Sequence, residues 1–287
     1  ISYTKLIVHT YLCYMINDEG LNTNMQQKTN AIEIDRCSAI ISTPDRVSKL
    51  PTIIIVHGSG GIGSCEWEWH DLALKNNFNA IIVDHFTKKG VRDWWWHEPE
   101  FNPSFYDMAN DVVNVIDHMY TNEALFEFID FDKLAVVGFS AGGTASILLS
   151  TMVNEIKVFG SVNPCIWPYL PEFDKVKNKD SLHLYCGDLD DWCSYDKQKF
   201  FSERTGTHLH TYKNCHHGFT RPRTNPIGRN LPDTVTFRNC DFPVPYNYNM
   251  SNIVKFKDSW EKGVNVEYNA EASKQVQEHF INLVKSL

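Results

Sequence analysis

Lys133-Leu134-Ala135-Val136-Val137-Gly138-Phe139-Ser140-Ala141-Gly142-Gly143-Thr144-Ala145-Ser146-Ile147-Leu148-Leu149 is the stretch from which the fold can be read. Its first half is a nearly continuous apolar run, the pattern of a strand buried on both faces. Its second half, to about Met152, is compact and apolar enough for a buried helix. Between them stands G-x-S-x-G, residues 138–142. A serine hydroxyl is a weak nucleophile, so a catalytic serine is held out on a strained strand-to-helix turn, and small flanking residues let the backbone turn that sharply. The bare pentapeptide would be an ordinary Gly/Ser turn; its position between strand and helix makes Ser140 a candidate nucleophile.

On both sides of this stretch, short Ile- and Val-rich runs alternate with longer segments of helical period, as in a parallel sheet with covering helices. The predicted strands are 52–57, 79–84, 133–139, 157–162, 181–186 and 208–212. Phe105, Met108, Val112, Val115, Ile116 and Met119 recur at three- and four-residue steps behind Ser104, which predicts a capped amphipathic helix. Ala272, Val276, Phe280 and Leu283 form the stripe of a closing helix beginning near Asn269. Segments 3–16 and 31–42 read as early antiparallel strands, although their alternation is poor. The expectation is one domain over 1–287, with a Pro-rich excursion at about 221–265 before the last helix. Residues 221–246 hold five of the twelve prolines, and an excursion starting four residues after His217 either borders the site or is a surface embellishment.

Acyl transfer needs backbone donors for its oxyanion, one from the residue after the nucleophile and one from the loop after an earlier strand. Ala141 supplies the first. His57-Gly58-Ser59-Gly60-Gly61 follows the strand at 52–57 and offers Ser59 as the second, ahead of Gly60. The remaining partners are expected in the order acid, then histidine, each on a loop after a strand. Strand 181–186 leads into Gly187-Asp188-Leu189-Asp190-Asp191-Trp192, and strand 208–212 leads into Cys215-His216-His217-Gly218-Phe219. Spacing leaves three acids and two histidines in competition.

Composition excludes several other classes. With 27 basic and 35 acidic residues the chain carries −8 and no basic stripe, which argues against nucleic acid as a partner. No run approaches the ~20 apolar residues of a membrane span. A start at Ile1 is compatible with a removed leader, so the expectation is a soluble chain, cytoplasmic or exported. Eight scattered cysteines without a C-x-x-C pair resemble buried thiols more than a disulfide scaffold. Twelve histidines raise the question of a metal, but there is no H-E-x-x-H and no second cluster at zinc-finger distance from Cys215-His216-His217, so neither metal nor other cofactor is expected. Trp67, Trp69 and Trp94-Trp95-Trp96 read as core or packed rim before substrate pocket.

In order, His57-Gly58-Ser59-Gly60-Gly61, Val83-Asp84, Lys89-Gly90-Val91, Gly138-Phe139-Ser140, the Gly187 to Trp192 turn and His217-Gly218-Phe219 resemble the dienelactone hydrolase family, in its serine-bearing branch, from about Pro51 to the C-terminus. The resemblance implies an α/β-hydrolase fold: a mostly parallel central sheet of about eight strands with helices on both faces. It also implies that the acid is Asp190, that the base is His217, and that Arg221 meets a substrate carboxylate; Trp192, at the end of the acid's turn, is a further candidate for substrate contact. Two departures stand out. Lactone-specific members use a cysteine nucleophile and a glutamate near the oxyanion loop, whereas this chain has Ser140 and no acid within 57–63.

The resulting expectation is a carboxylic-ester hydrolase acting on a small-molecule ester or lactone through an acyl-enzyme. The competing functions are a serine exopeptidase of prolyl-oligopeptidase type and a ligand-binding relative without turnover.

Overall fold

The computed structural model describes residues 27–44, 48–91, 103–166, 170–177, 179–222, 229–236, 238 and 261–287. The expected strand at 3–16 and Trp94-Trp95-Trp96 lie outside them. The frame is an eight-stranded sheet built from β1 (Gln27–Ile34), β2 (Cys37–Pro44), β3 (Leu50–Val56), β4 (Asn79–Asp84), β5 (Ile129–Phe139), β6 (Ile156–Val162), β7 (Leu182–Gly187) and β8 (His208–Tyr212). Their spatial order is β1-β2-β4-β3-β5-β6-β7-β8. β1, β2 and β4 pair antiparallel, while every pairing from β4 across to β8 is parallel. All six predicted strands are present, and the expected strand over 31–42 is the two arms of a hairpin turning at Asp35 and Arg36.

Alternation along each strand divides the core into two layers. Ile54 and Val56 point to the face that also buries Met108, Val112, Val115, Leu148 and Phe201. Those residues belong to α2 (Phe105–Thr121), α3 (Ala141–Met152) and α4 (Tyr195–Thr205). Ile53 and Ile55 point the other way, against Trp67, Trp69, Val276 and Phe280 of α1 (Ser64–Lys75) and α5 (Ala270–Lys285). Ile53, Ile54 and Ile55 are all fully buried, each contributing roughly 1.5–3 kcal/mol. Trp67 and Trp69 are core residues as expected, Trp69 lying edge-on to Phe139 and Phe280 at 5.6 Å.

Two helix starts follow the sequence closely. Ser104 accepts the Asp107 amide at 3.1 Å while Asp107 accepts the Ser104 amide at 2.9 Å, a reciprocal cap. Asn269 caps α5 through the Ala272 amide at 3.0 Å. Part of the Pro-rich excursion is a second sheet, β9 (Arg229–Thr236) against β10 (Glu261–Val266), antiparallel.

The turn from β5 into α3 depends on two close backbone approaches. A Cβ on Gly138 would stand 2.1 Å from the Gly142 carbonyl oxygen, and one on Gly142 would stand 2.3 Å from that of Val56. Both obstacles are backbone, so neither can rotate away. Gly142→Ala is therefore expected to cost at least ~3 kcal/mol, above the usual range of overpacking, in a denaturant titration; a cost under ~1 kcal/mol would show that α3 and β3 can separate freely.

Candidate active site

Ser140 sits where β5 ends and α3 begins, with φ 52° and ψ −112°. A non-glycine residue at positive φ is uncommon, and the packing around Gly138 and Gly142 holds it there. Its amide donates to the Val162 carbonyl at 2.8 Å, which fixes the elbow to β6. Ser140 remains partly exposed while its neighbours on the helix are buried.

The two loops predicted to carry acid and base converge on it. His217 Nε2 is 3.1 Å from Ser140 Oγ, and His217 Nδ1 is 2.9 Å from Asp190 Oδ2. Asp190 and His217 are both buried. Geometry also separates the competing residues. Asp190 Oδ1 accepts the Trp192 and Cys193 amides at 3.0 and 2.9 Å, and Oδ2 accepts Gln198 Nε2 at 3.2 Å. Asp188 accepts the Asn214 amide at 2.7 Å and pairs with Lys213, so it braces the histidine loop from outside. Asp191 accepts the amide and the side chain of Asn265 at 2.9 and 2.7 Å, anchoring β10. His216 turns away, its Nδ1 donating to the Leu189 carbonyl at 3.0 Å.

Charge follows from this wiring. Burial alone would raise the Asp190 carboxyl, but His217 and the donors from Cys193 and Gln198 outweigh it and hold the group below its ordinary value. Burial alone would lower His217; the Asp190 carboxylate, with the nearby Cys193, outweighs it and raises the imidazole above the ordinary 6.5. A base acts only when neutral, so kcat/KM for ester hydrolysis is expected to climb with pH through an inflection above 6.5. Asp190→Asn removes the cause and should move the inflection of the residual activity downward; an unshifted inflection would remove the Asp190 carboxylate as its source.

The loop after β3 lies directly against the serine, since a Cβ on Gly58 would be 3.4 Å from Ser140 Cβ. A tight turn forms as the Gly61 amide donates to the Gly58 carbonyl at 3.1 Å, leaving Ser59 and Gly60 at its tip. His57 pins the turn from below. Its Nδ1 donates to the Gly58 carbonyl at 2.7 Å and its Nε2 accepts the His85 amide at 3.2 Å. Burial, reinforced by His85, pushes its pKa down to about 3, so it is a neutral strut. Ala141 begins α3, and an amide in the first turn has no carbonyl partner within its own helix.

Arg221 and Trp192 stand beside the loop after β3 and beside His217, respectively. The Arg221 guanidinium lies 3.5 Å from where a Gly60 Cβ would be, and the Trp192 ring is 4.9 Å from that of His217. Sequence reading missed three contributors. Glu66, from α1, is buried and accepts the Gly63 amide at 2.8 Å, so an acid does reach the loop after β3 from beyond residue 63. Gln198 supports Asp190 from α4, a helix without a clear apolar stripe. Asp111, buried on α2, holds Lys89 and His85 beneath the loop; an acid on the apolar stripe of a helix was the available signal.

A family model described as the dienelactone hydrolase family matches residues 37–287. The chain belongs to the dienelactone hydrolase family. That membership places it among the carboxylic-ester hydrolases. Among curated proteins no sequence relative was found. Solved structures share the α/β-hydrolase fold. A protein from Klebsiella pneumoniae subsp. pneumoniae MGH 78578 assigned as a dienelactone hydrolase is 11% identical, with TM-score 0.64 over 92% of this chain and 100% of that one. A dienelactone hydrolase-like promiscuous phosphotriesterase from metagenomic libraries is 12% identical, with TM-score 0.58 over 91% and 98%. Est1E from Butyrivibrio proteoclasticus is 15% identical, with TM-score 0.51 over 66% and 90%. Within this hydrolase, no helix among the described residues is long and apolar enough to cross a membrane. Among the described residues, Cys37, Cys65, Cys165, Cys186, Cys193 and Cys215 are free thiols, five of them buried.

Proposed function

We propose that this hydrolase, as a single domain over 1–287, cleaves a small carboxylic ester or lactone through a covalent acyl-enzyme on Ser140. The observation that carries the reading is the unbroken hydrogen-bond chain from Ser140 Oγ through His217 to Asp190, mounted on a serine at positive φ. In this mechanism His217 Nε2 takes the Ser140 proton as Oγ attacks the ester carbonyl. Asp190 keeps the other ring proton on Nδ1 and offsets the imidazolium charge. The amides of Ala141 and Ser59 receive the oxyanion. The C–O bond to the leaving alkoxide breaks, His217 returns the proton to it, and water then repeats the sequence to release the acid. Arg221 stands against the oxyanion loop, where its charge suits a substrate bearing a carboxylate of its own. Trp192 presents an aromatic wall beside the base.

The test is hydrolysis of p-nitrophenyl acetate and butyrate by wild type beside Ser140→Ala, with circular dichroism on both. Activity confined to the wild type is the expected result. A folded wild type that ignores both esters, while cleaving aminoacyl amides or merely binding ligands, would overturn the ester assignment.

A further inference from the structure

A second cluster of chemistry-bearing side chains lies outside this site, where the sequence spacing predicted no metal. β7 and β8 run parallel with His183 opposite His208 and Tyr185 opposite His210, so all four side chains share one face. α5 covers that face and brings His279 against them, its ring 4.4 Å from that of His210. His183 Nδ1 and His210 Nε2 are 3.2 Å apart, and one ring nitrogen from each of His183, His210 and His279 falls within 4.8 Å of the others. Tyr185 Oη is 2.9 Å from His279 Nδ1.

We infer that His183, His210 and His279 form a binding site for one divalent transition-metal ion of the zinc class, joining β7, the edge strand β8 and α5. Imidazole nitrogen is the preferred donor for such ions, whereas calcium and magnesium require oxygen. At metal–nitrogen bonds of about 2.0–2.1 Å, tetrahedral ligands stand roughly 3.3 Å from one another. The His183–His210 pair already has that spacing, and a side-chain rotation of His279 brings in the third nitrogen. Tyr185 is placed for the part that outer partners play in metal sites: accepting from Nδ1 would leave Nε2 of His279 as the ligating atom. His208, stacked on His183 at 4.7 Å, is exposed beside the cluster. β7 and β8 also lead into the loops of Asp190 and His217, so the ion would staple the elements that hold acid and base.

The experiment is a calorimetric titration of chelator-treated protein with Zn²⁺ alone, repeated with Co²⁺ as a spectroscopic probe. Wild type is expected to bind one equivalent, to melt at a higher temperature when loaded, and to give the intense visible absorption of tetrahedral Co²⁺ without sulfur-to-metal charge transfer. His279→Gln and His210→Gln should each weaken binding by on the order of 100-fold, and Tyr185→Phe by about 10-fold. His118→Gln, on α2 and distant in the fold, should leave binding unchanged. His279 is half-buried on a helix, so its variant is expected to remain folded by circular dichroism. Failure of the wild type to bind Zn²⁺, unchanged affinity in His279→Gln, or a sulfur charge-transfer band would each overturn the assignment.

Discussion

Ser140→Ala is expected to lower kcat for ester hydrolysis by on the order of 10⁴-fold or more with little change in stability. The hydroxyl is partly exposed and bonded to His217, so its loss opens no cavity in the core. What is lost is the covalent route, leaving only what the oxyanion donors and the cleft do for a water attacking directly. His217→Ala should cost about as much, and the double variant little more than either single one, because nucleophile and base act in one step. Additive losses would mean that the two side chains serve different steps. The separate steady-state rates of the three variants on p-nitrophenyl butyrate decide this.

Asp190→Asn is expected to cost about 10⁴-fold in kcat, whereas Asp188→Asn should cost less than about 10-fold. The amide is nearly isosteric, but it can place an N–H where the carboxylate accepted one, favouring the wrong imidazole tautomer. The surroundings make that placement unavoidable in one direction or the other. Oδ1 already faces two amide donors and Oδ2 faces both His217 and Gln198, so every site around the carboxylate calls for an acceptor. Asp188 instead pairs with exposed Lys213 and one amide, and Asp191 holds β10, so neither touches the imidazole. Equal losses at Asp188 and Asp190 would sink the assignment of the acid.

The sequence was most transparent where burial imposes one pattern on many residues. β3 to β7 read as apolar runs because both faces are covered, and α2 and α5 read as stripes because only one side is. β2 was blurred because, although all eight of its residues are buried, Ser38, Ser42 and Thr43 interrupt the apolar run that marks the other strands. α1 buries Glu66 and His70 beside Trp67 and Trp69, which breaks its apolar stripe. At the candidate site, the turn that carries Ser140 was legible because strand, glycines and helix are local. The choice among Asp188, Asp190 and Asp191 was not readable from spacing, since it depends on which carboxylate the folded loop turns inward; the family resemblance supplied it. The histidine cluster had no local signature beyond His208-Leu209-His210, because its members lie at 183, 210 and 279 and only the β7–β8 register and α5 unite them.

The most direct measurement is stoichiometric labelling with a serine-directed fluorophosphonate, followed by peptide mass spectrometry. The expected result is one phosphonyl group per chain, on the peptide carrying Ser140, with labelling slowed severely in His217→Ala. A folded, active enzyme that takes up no label, or carries it on another residue such as the neighbouring Cys193, would contradict the claim that Ser140 is the nucleophile.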